Sequence, residues 1–316
     1  MRDKSFYALS YDKGLKTFID TKNKNCNHVV GKVHSIFKKV INFVDDDNQI
    51  YSILQSSFDN GPYAVRIDNE NIDDFFSLQI DINDLVFLEN KVLRIENKLS
   101  INFDNVQLWS PMKLKIDIDK SNLELFKRNI EVYNHYLFHQ GNYGGVKHCY
   151  IKTYMESPVS YKPTLIEREL YKRVSNFITS IDSEYLNFKE SIFSIIGLGN
   201  GLTPSGDDFL VGFMTALNVV EIEKTQALFR KIKYILRQNK LPTTDISISM
   251  INSCIEGNKR EHLTDFIRKL FSEDKEGLLD SINNVFSIGS SSGVDLSVGV
   301  IIGLMYSLDI LENGGI

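Results

Sequence analysis

The sequence is poor in the residues that mark secreted, fibrous or disordered proteins. It has three cysteines, six prolines and one tryptophan among 316 residues, and no low-complexity run. Cys26, Cys149 and Cys254 lie far apart and form no Cys-x-x-Cys pair, so we interpret each as a buried apolar residue rather than a nucleophile. The odd number of cysteines, and a start (Met1-Arg2-Asp3-Lys4) without a hydrophobic signal core, lead us to expect a cytoplasmic protein.

Strong charge and long apolar runs are also missing. The net charge is −5, so there is no basic excess for nucleic acid or for an anionic membrane. The longest apolar run near the end, residues 296–308, is shorter than the ~20 residues that span a bilayer. With 42% hydrophobic and 24% charged residues, the chain has the composition of a soluble globular protein. We therefore expect neither nucleic-acid nor membrane partners.

The hydrophobic period changes along the chain. From about His28 to Trp109 it is two, in several short strands with polar turns between them, which favours a small antiparallel sheet or barrel. After Pro163 the apolar residues recur at helical spacing to the end. We predict an α+β protein with a β-rich antiparallel N-terminal half, residues 1–111, followed by an all-helical C-terminal half, residues 112–316.

A glycine-rich loop leads into an unusually apolar helix. Gly197, Gly199 and Gly201 alternate with other residues, and such a run makes neither a good helix nor a good strand because each glycine loses extra backbone entropy on folding. Residues 209–217 are apolar on every side, which predicts a helix that is buried all round. The loop therefore marks a sharp turn or a close approach at the start of a core helix.

The start of this helix carries two carboxylates. Ser205 is expected as the N-cap, with Asp208 three residues later as in a capping box; Thr203 with Pro204 at the first helical position is the alternative. The N–H groups of a first turn lack partners and are partly positive, so a glycine loop there is suited to an anion. Asp207 and Asp208 either satisfy those donors or face a cation, an ammonium or an amide N–H. A capped helix without a ligand is the plainer alternative.

The same start occurs twice. Residues 292–304 align without gaps on residues 205–217, with identity at six of 13 positions, and both copies read Ser-Gly-x-Asp-x-x-x-Gly. Small residues four apart let another backbone come close. We predict that the two helices pack together and bring both Ser-Gly-x-Asp starts to one place; two independent capped helices are the alternative. The small residues are Gly212 and Ala216 in the first copy and Gly299 and Gly303 in the second.

The chain also resembles a known family. The segment from Gly197 to Asp208 reads Gly-Leu-Gly-Asn-Gly-Leu-Thr-Pro-Ser-Gly-Asp-Asp, which is similar to the signature of the AllH family, named after a subunit of bacterial oxamate carbamoyltransferase. The family pattern usually has proline at the position of Asn200. Weaker matches follow in the family's order over most of the chain: Gly61-Pro62, Trp109-Ser110-Pro111, Thr243-Thr244 with Ser247, and Gly289 with Ser292-Gly293 and Asp295.

This resemblance implies a function in a complex. The complex would interconvert oxalurate and phosphate with oxamate and carbamoyl phosphate, late in anaerobic allantoin or purine breakdown. The partners implied are other subunits of the carbamoyltransferase and a small anionic substrate, a carboxylate or a phosphate. The resemblance does not fix which subunit carries the chemistry. A non-catalytic ligand-binding or assembly subunit, and an enzyme for another small carboxylic acid, remain as alternatives.

We predict one site, where loop 199–208 meets loop 289–295. The catalytic carboxylates would bind the carbamoyl amide, or a magnesium ion that carries phosphate: they are Asp207, Asp208 and Asp295. Backbone N–H groups and hydroxyls would bind the substrate. The residues that supply them are Gly199, Gly201, Thr203, Ser205, Gly206, Thr243, Thr244, Ser292 and Gly293.

The individual roles within this site differ. Ser205 and Ser292 are expected as helix caps and positioning residues rather than nucleophiles, because no histidine base is apparent beside them. Thr243 and Thr244 are good caps for the helix that follows them. His135 and His139 share a helix face at a metal-ligand spacing but lack a third ligand, so no metal site is predicted there. The cofactor is left open, with magnesium as one alternative.

Overall fold

The structure is a computed structural model that describes residues 4–23, 28–68, 72–117, 119–155 and 162–312. The chain divides into two compact units. The first comprises Met1–Met112 together with Lys259–Glu261, and the second comprises Lys113–Asn258 and His262–Ile316.

The first unit is a barrel-like sheet. Its strands lie in the order β5-β4-β3-β2-β6-β7-β8-β1, and β5 also pairs with β1, which closes eight strands into a ring; β9 pairs with the far end of β1. Alternate residues of the strands point inward, and Val33, Phe43, Ile53 and Val65 are fully buried. Within the described residues the elements are β1 (Lys4–Asp12), α1 (Lys13–Lys22), β2 (His28–Ile36), β3 (Val40–Val44), β4 (Ile50–Gln55), β5 (Ala64–Ile67), β6 (Leu85–Glu89), β7 (Val92–Ile95), β8 (Leu99–Asn102) and β9 (Gln107–Trp109).

The sheet is mixed rather than purely antiparallel. Strand β1 runs parallel to β8 and β9, and β4 runs parallel to β5, whereas the other pairings are antiparallel. A period of two reports which face of a strand is buried and carries no information on the direction of its neighbour. The predicted strands were therefore right, and the predicted uniform direction was too simple.

The second unit is helical. Its core is one continuous apolar cluster. This arrangement confirms the predicted class, α+β with a β-rich half followed by a helical half. Within the described residues the helices are α2 (Lys120–Gln140), α3 (Lys147–Tyr154), α4 (Leu165–Thr179), α5 (Tyr185–Ile195), α6 (Ser205–Val219), α7 (Glu223–Arg237), α8 (Asp245–Ile255), α9 (Glu261–Leu270), α10 (Lys275–Phe286) and α11 (Ser292–Glu312).

Helices α6 and α11 form the centre of this unit and pack along each other. A Cβ atom on Gly212 would lie 2.0 Å from the carbonyl oxygen of Leu296, and one on Gly299 would lie 2.1 Å from that of Phe209. No side chain fits into such spaces, so the two glycines are what allow the helices to approach this closely. The predicted packing of the two glycine-containing helices is confirmed.

Helix α11 extends further than its apolar run suggested. In the described part of the chain it is the one helix that is long and apolar enough to cross a membrane, by length and composition. However, 72% of its most apolar window is buried inside the protein, as expected of a core helix. Cys149 and Cys254 are buried thiols, in line with their interpretation as apolar core residues, and Cys26 lies outside the described residues.

Candidate functional site

Both Ser-Gly-x-Asp motifs begin a helix directly against the end of the preceding helix. A Cβ atom on Gly206 would lie 1.9 Å from the carbonyl oxygen of Ile195, at the end of α5. A Cβ atom on Gly293 would lie 1.8 Å from that of Val285, near the end of α10. The motif glycine is thus needed for the same backbone contact in both copies, and the repeat is a helix–loop–helix unit.

The N–H groups of these two glycines are already used. The N–H of Gly206 donates to the carbonyl of Leu198 at 2.8 Å, and the N–H of Gly293 donates to the carbonyl of Ile288 at 2.9 Å. The prediction that the Gly206 N–H binds an anion is therefore wrong, and Gly293 has no N–H to offer a ligand either. The close contact with the preceding helix directs both N–H groups at backbone carbonyls of the protein. The presence of a glycine does not by itself predict that contact.

The predicted caps are also wrong. Pro204 occupies the N-cap position of α6, without a side-chain cap, and its carbonyl accepts from the N–H groups of Asp207 and Asp208 at 2.9 and 3.2 Å. Ser205 and Ser292 are the first helical residues of α6 and α11. A side chain on a residue with helical backbone cannot fold back onto its own first turn as a cap does, so both hydroxyls are available to groups on the neighbouring helix.

Asp207 holds the glycine loop in place. Its Oδ1 accepts from the N–H of Gly197 at 2.8 Å, and its Oδ2 accepts from the hydroxyl of Thr243. Thr244 caps α8, as predicted, and its hydroxyl donates to the carbonyl of Leu202 at 2.5 Å. The polar atoms of these three predicted site residues thus shape the loop. Both oxygens of Asp207 therefore have donors within the chain.

The tip of the loop retains open donors. Gly199 and Gly201 have φ values of +140° and +86°, which favour glycine. Within the described residues, no hydrogen bond is formed by either N–H group. A Cβ atom on Gly201 would meet nothing within 4 Å, so this residue borders open space. Their predicted role in binding a carboxylate or phosphate stays a prediction that this geometry permits.

Asp208 and Asp295 meet where α6 and α11 begin. Their side chains are buried, with 1% and 0% of the residue surface exposed, and their charges repel each other. In the described structure, both oxygens of Asp208 and the Oδ2 of Asp295 form no hydrogen bond. Buried carboxylate oxygens without donors are costly. The pair therefore requires a proton, a cation or the N–H groups of a ligand.

Hydroxyl groups surround the two carboxylates in a crossed arrangement. Ser292, of the second motif, and Thr203 lie beside Asp208 of the first; Ser205, of the first motif, lies beside Asp295 of the second. These hydroxyls lower the pKa of the carboxyl they approach but do not reach the geometry of a hydrogen bond to it. Thr203 and Ser292 instead bond to each other, with 2.9 Å between their hydroxyl oxygens.

A third loop reaches Asp295, and the sequence did not predict it. The N–H of Val146 donates to Asp295 Oδ1 at 2.7 Å. Gly145 lies against the same oxygen, since a Cβ atom there would be 2.0 Å from Oδ1, and its φ of +61° also favours glycine. Lys147, itself buried, donates through Nζ to the carbonyl of Gly141 at 2.6 Å and so ties the loop together. The adjacent glycines at 144 and 145 were the one available signal.

The electrostatics of the two carboxyls follow from this environment. Burial raises the pKa of Asp208 well above its ordinary value, and the charge of Asp295 raises it further. Burial raises the pKa of Asp295 to about 7, while the Val146 N–H opposes that shift. The charge of Glu167 also raises the pKa of Asp295; Glu167 is buried in the capping box of α4 with Thr164. Both carboxyls therefore hold a proton more readily than an exposed aspartate.

Other candidate ligands do not gather into a metal centre. Within the described ranges, no group of three or more His, Cys, Asp or Glu side chains is placed to hold a metal ion. His135 and His139 face each other on α2, with ring centroids 4.6 Å apart, and both are exposed.

In structural terms, the chain is an α+β protein whose helical unit holds a buried acidic pair between two repeated helix starts. Two family models match it. The model described as the AllH family N-terminal domain matches residues 7–108, and the model described as oxamate carbamoyltransferase subunit AllH matches residues 195–304, which contain both Ser-Gly-x-Asp motifs. No solved structure matches the chain. The chain belongs to the AllH family, whose role as a carbamoyltransferase subunit implies other subunits as partners.

Proposed function

We propose that this chain binds the small anionic substrate of a complex that interconverts oxalurate and phosphate with oxamate and carbamoyl phosphate. One observation carries the proposal: three buried carboxylate oxygens of Asp208 and Asp295 have no donor in the described structure. They lie within the segment that matches the carbamoyltransferase subunit. We place the reaction in anaerobic breakdown of allantoin or purines, in the cytoplasm.

The site complements the chemical groups of these substrates. Oxamate and oxalurate each carry a carboxylate next to an amide, so each presents negative oxygens on one side and N–H donors on the other. The buried pair supplies acceptors for the amide N–H groups. The N–H groups of Gly199 and Gly201, which have no partner among the described residues, supply donors for a carboxylate or phosphate.

The reaction needs no covalent intermediate on the protein. An oxygen of hydrogen phosphate attacks the carbamoyl carbon of oxalurate and forms a carbon–oxygen bond. The bond from that carbon to the oxamate nitrogen breaks, and the proton from hydrogen phosphate ends on this nitrogen. Orientation of the two substrates and stabilisation of the developing charge can supply the rate. Ser205 and Ser292 would position the carboxyls, since their hydroxyls lie beside Asp295 and Asp208.

The burial of the two aspartates favours a second candidate function. Asp208 and Asp295 are almost completely buried. A proton held between them would join α6 to α11 without any ligand, and the chain would then be an assembly subunit whose partner carries out the chemistry. An enzyme or binding subunit should respond to substrate, whereas an assembly subunit should respond only to its partners.

Thermal unfolding with single ligands tests the proposal. Oxamate, oxalurate, carbamoyl phosphate, phosphate and Mg²⁺ are each added to the isolated chain and then to the assembled complex. A ligand present at about a hundred times its Kd adds about 2.7 kcal/mol of stability, which raises Tm by a few degrees. We expect a shift with oxamate or oxalurate that is lost in the double variant Asp208→Asn/Asp295→Asn.

The matched control is Asp280→Asn, an exposed aspartate on α10, which should keep the full shift. A shift that survives in the double variant would contradict the proposed site. No shift in either the chain or the complex would favour the assembly function.

A further inference from the structure

We propose that the two aspartates have different protonation states, and that together they recognise a primary amide or ureido group: neutral Asp208 donates to its carbonyl oxygen, and ionised Asp295 accepts from its N–H. This inference rests on the proposed function and specifies which chemical group the site selects. It predicts a preference for oxamate over oxalate, two ligands of nearly equal size.

Above its pKa of about 7, Asp295 is the member held in the ionised form. The N–H of Val146 donates to its Oδ1 at 2.7 Å, and helix α3 begins at the next residue, Lys147. The N-terminus of a helix is partly positive and stabilises a carboxylate placed against it. Gly145 brings the backbone close enough for this contact, because no Cβ atom would fit beside Oδ1. With Oδ1 occupied, Oδ2 is left as an acceptor without a donor.

Asp208 is the member held in the neutral form. Neither of its oxygens receives a hydrogen bond in the described structure, although the residue is only 1% exposed. The charged groups that act on it are two further carboxylates, Asp207 and Asp295. The hydroxyls of Ser292 and Thr203 oppose this repulsion only in part. Two neighbouring carboxylates in a buried place cannot both ionise, and the one without a backbone donor retains the proton.

The resulting pair offers one donor on Asp208 and one acceptor on Asp295, two buried carboxyls close enough to interact electrostatically. A primary amide or ureido group presents a carbonyl oxygen beside an N–H, which complements both. Oxalate presents a second carboxylate in place of the amide, so an anionic oxygen would face the ionised Asp295. A site built to pair with an N–H group rejects an analogue that lacks it strongly. We expect oxamate to bind on the order of 100-fold more tightly than oxalate.

Two isosteric variants separate the roles of the two carboxyls. In Asp208→Asn the amide NH₂ replaces the carboxyl O–H as donor, so oxamate affinity should stay within about tenfold of the wild type. In Asp295→Asn the side-chain oxygen accepts from Val146 and the NH₂ group faces the ligand donor, so affinity should fall by on the order of 100-fold. Isothermal titration with oxamate and with oxalate measures both, with Asp280→Asn as the control. Equal losses in the two variants, or equal affinity for oxamate and oxalate in the wild type, would overturn the inference.

A second readout needs no ligand. At pH 8, above the pKa of about 7 for Asp295, infrared spectra should show the band of a buried neutral carboxyl in the wild type. This band should remain in Asp295→Asn and vanish in Asp208→Asn. The reverse pattern, or no such band in the wild type, would overturn the inference. Because the spectra are taken without ligand, they test whether Asp208 is neutral and Asp295 ionised even if oxamate fails to bind and the proposed function is wrong.

Discussion

The two Ser-Gly-x-Asp motifs share a backbone and differ in what surrounds their carboxylates. In each, the motif glycine touches a carbonyl of the preceding helix and its N–H turns back to the loop. The fourth residues, however, have different neighbours. Asp295 receives an N–H from loop 141–146, between α2 and α3, whereas Asp208 receives no donor from the described chain. The repeat therefore supplies two matching carboxylates, and one loop from outside the repeat makes them chemically distinct.

The third residue of the motif is Asp207 in the first copy and Val294 in the second, and the loops before the two copies differ in length. Loop 196–204, before α6, is longer than loop 287–291, before α11. Asp207 ties the longer loop to Gly197 and Thr243, whereas Val294 occupies the same position after the shorter loop and is fully buried. Asp207 thus supports its own loop, and the apolar Val294 forms no such contacts in the second motif.

The likeness of the motifs is tested most strongly at their glycines. In Gly206→Ala and in Gly293→Ala, the new Cβ atom would lie within 2 Å of a carbonyl oxygen. The helices must then move apart, so each variant should lose about 3 kcal/mol or more of unfolding free energy. Denaturant unfolding measures both. Gly257→Ala, with a φ of +83° and only an ordinary contact, is the control and should lose about 1 kcal/mol. Clearly unequal losses in the two motifs would contradict their equivalence.

The dependence of stability on pH tests the carboxylates. A raised folded-state pKa means that the folded chain keeps its proton after the unfolded chain has lost it. For Asp295 the stabilisation is complete below the ordinary pKa of 3.8 and is lost as the pH rises to about 7. Between pH 5 and pH 8, Asp295 alone should therefore lower the unfolding free energy by roughly 3 kcal/mol relative to Asp208→Asn/Asp295→Asn. Asp208, whose pKa is also raised, adds to this fall. Parallel pH curves for the two proteins would show that neither carboxyl has a raised pKa.

The difference between the two carboxylates can be tested by a substitution in loop 141–146, which contacts Asp295. A Cβ atom in Gly145→Ala would collide with Oδ1 of Asp295, so the variant should lose about 2 kcal/mol of stability and bind oxamate more weakly. Gly144→Ala is a matched control, since its φ of +96° is also strained but nothing lies within 4 Å of the new atom. Equal effects of the two variants on oxamate affinity would show that the contact with Asp295 does not matter for binding.

Much of the architecture could be predicted from local patterns. The period of two predicted strands and the period of 3.6 predicted helices, because each reports which face of an element is buried. The internal repeat and its small residues predicted that α6 and α11 pack together. Strand direction was not predictable, since β1 pairs with β8, some ninety residues later, and its own sequence is the same for either direction of the partner.

The site was predicted only as far as side chains define it. Asp208 and Asp295 were identified from the repeat, but the N–H of Val146 has no sequence signature, since every residue except proline carries that group. The prediction that Ser205 and Ser292 are N-caps failed for a related reason. Serine is a common cap, but the residue at which the helix begins decides what its hydroxyl contacts, and the side chain alone does not show where that is. Glu167 sits on a helix rich in charged residues, and only the structure shows that it is buried.

The most direct test of the central claim is a crystal structure of the chain, or of its complex, with oxamate. We expect the amide of oxamate between the two aspartates, with its oxygen within hydrogen-bond distance of Asp208 and its nitrogen within hydrogen-bond distance of Oδ2 of Asp295. Oxamate bound at another place, or a saturated crystal in which the two carboxyls contact only each other, would contradict the assignment of this pair as the substrate site.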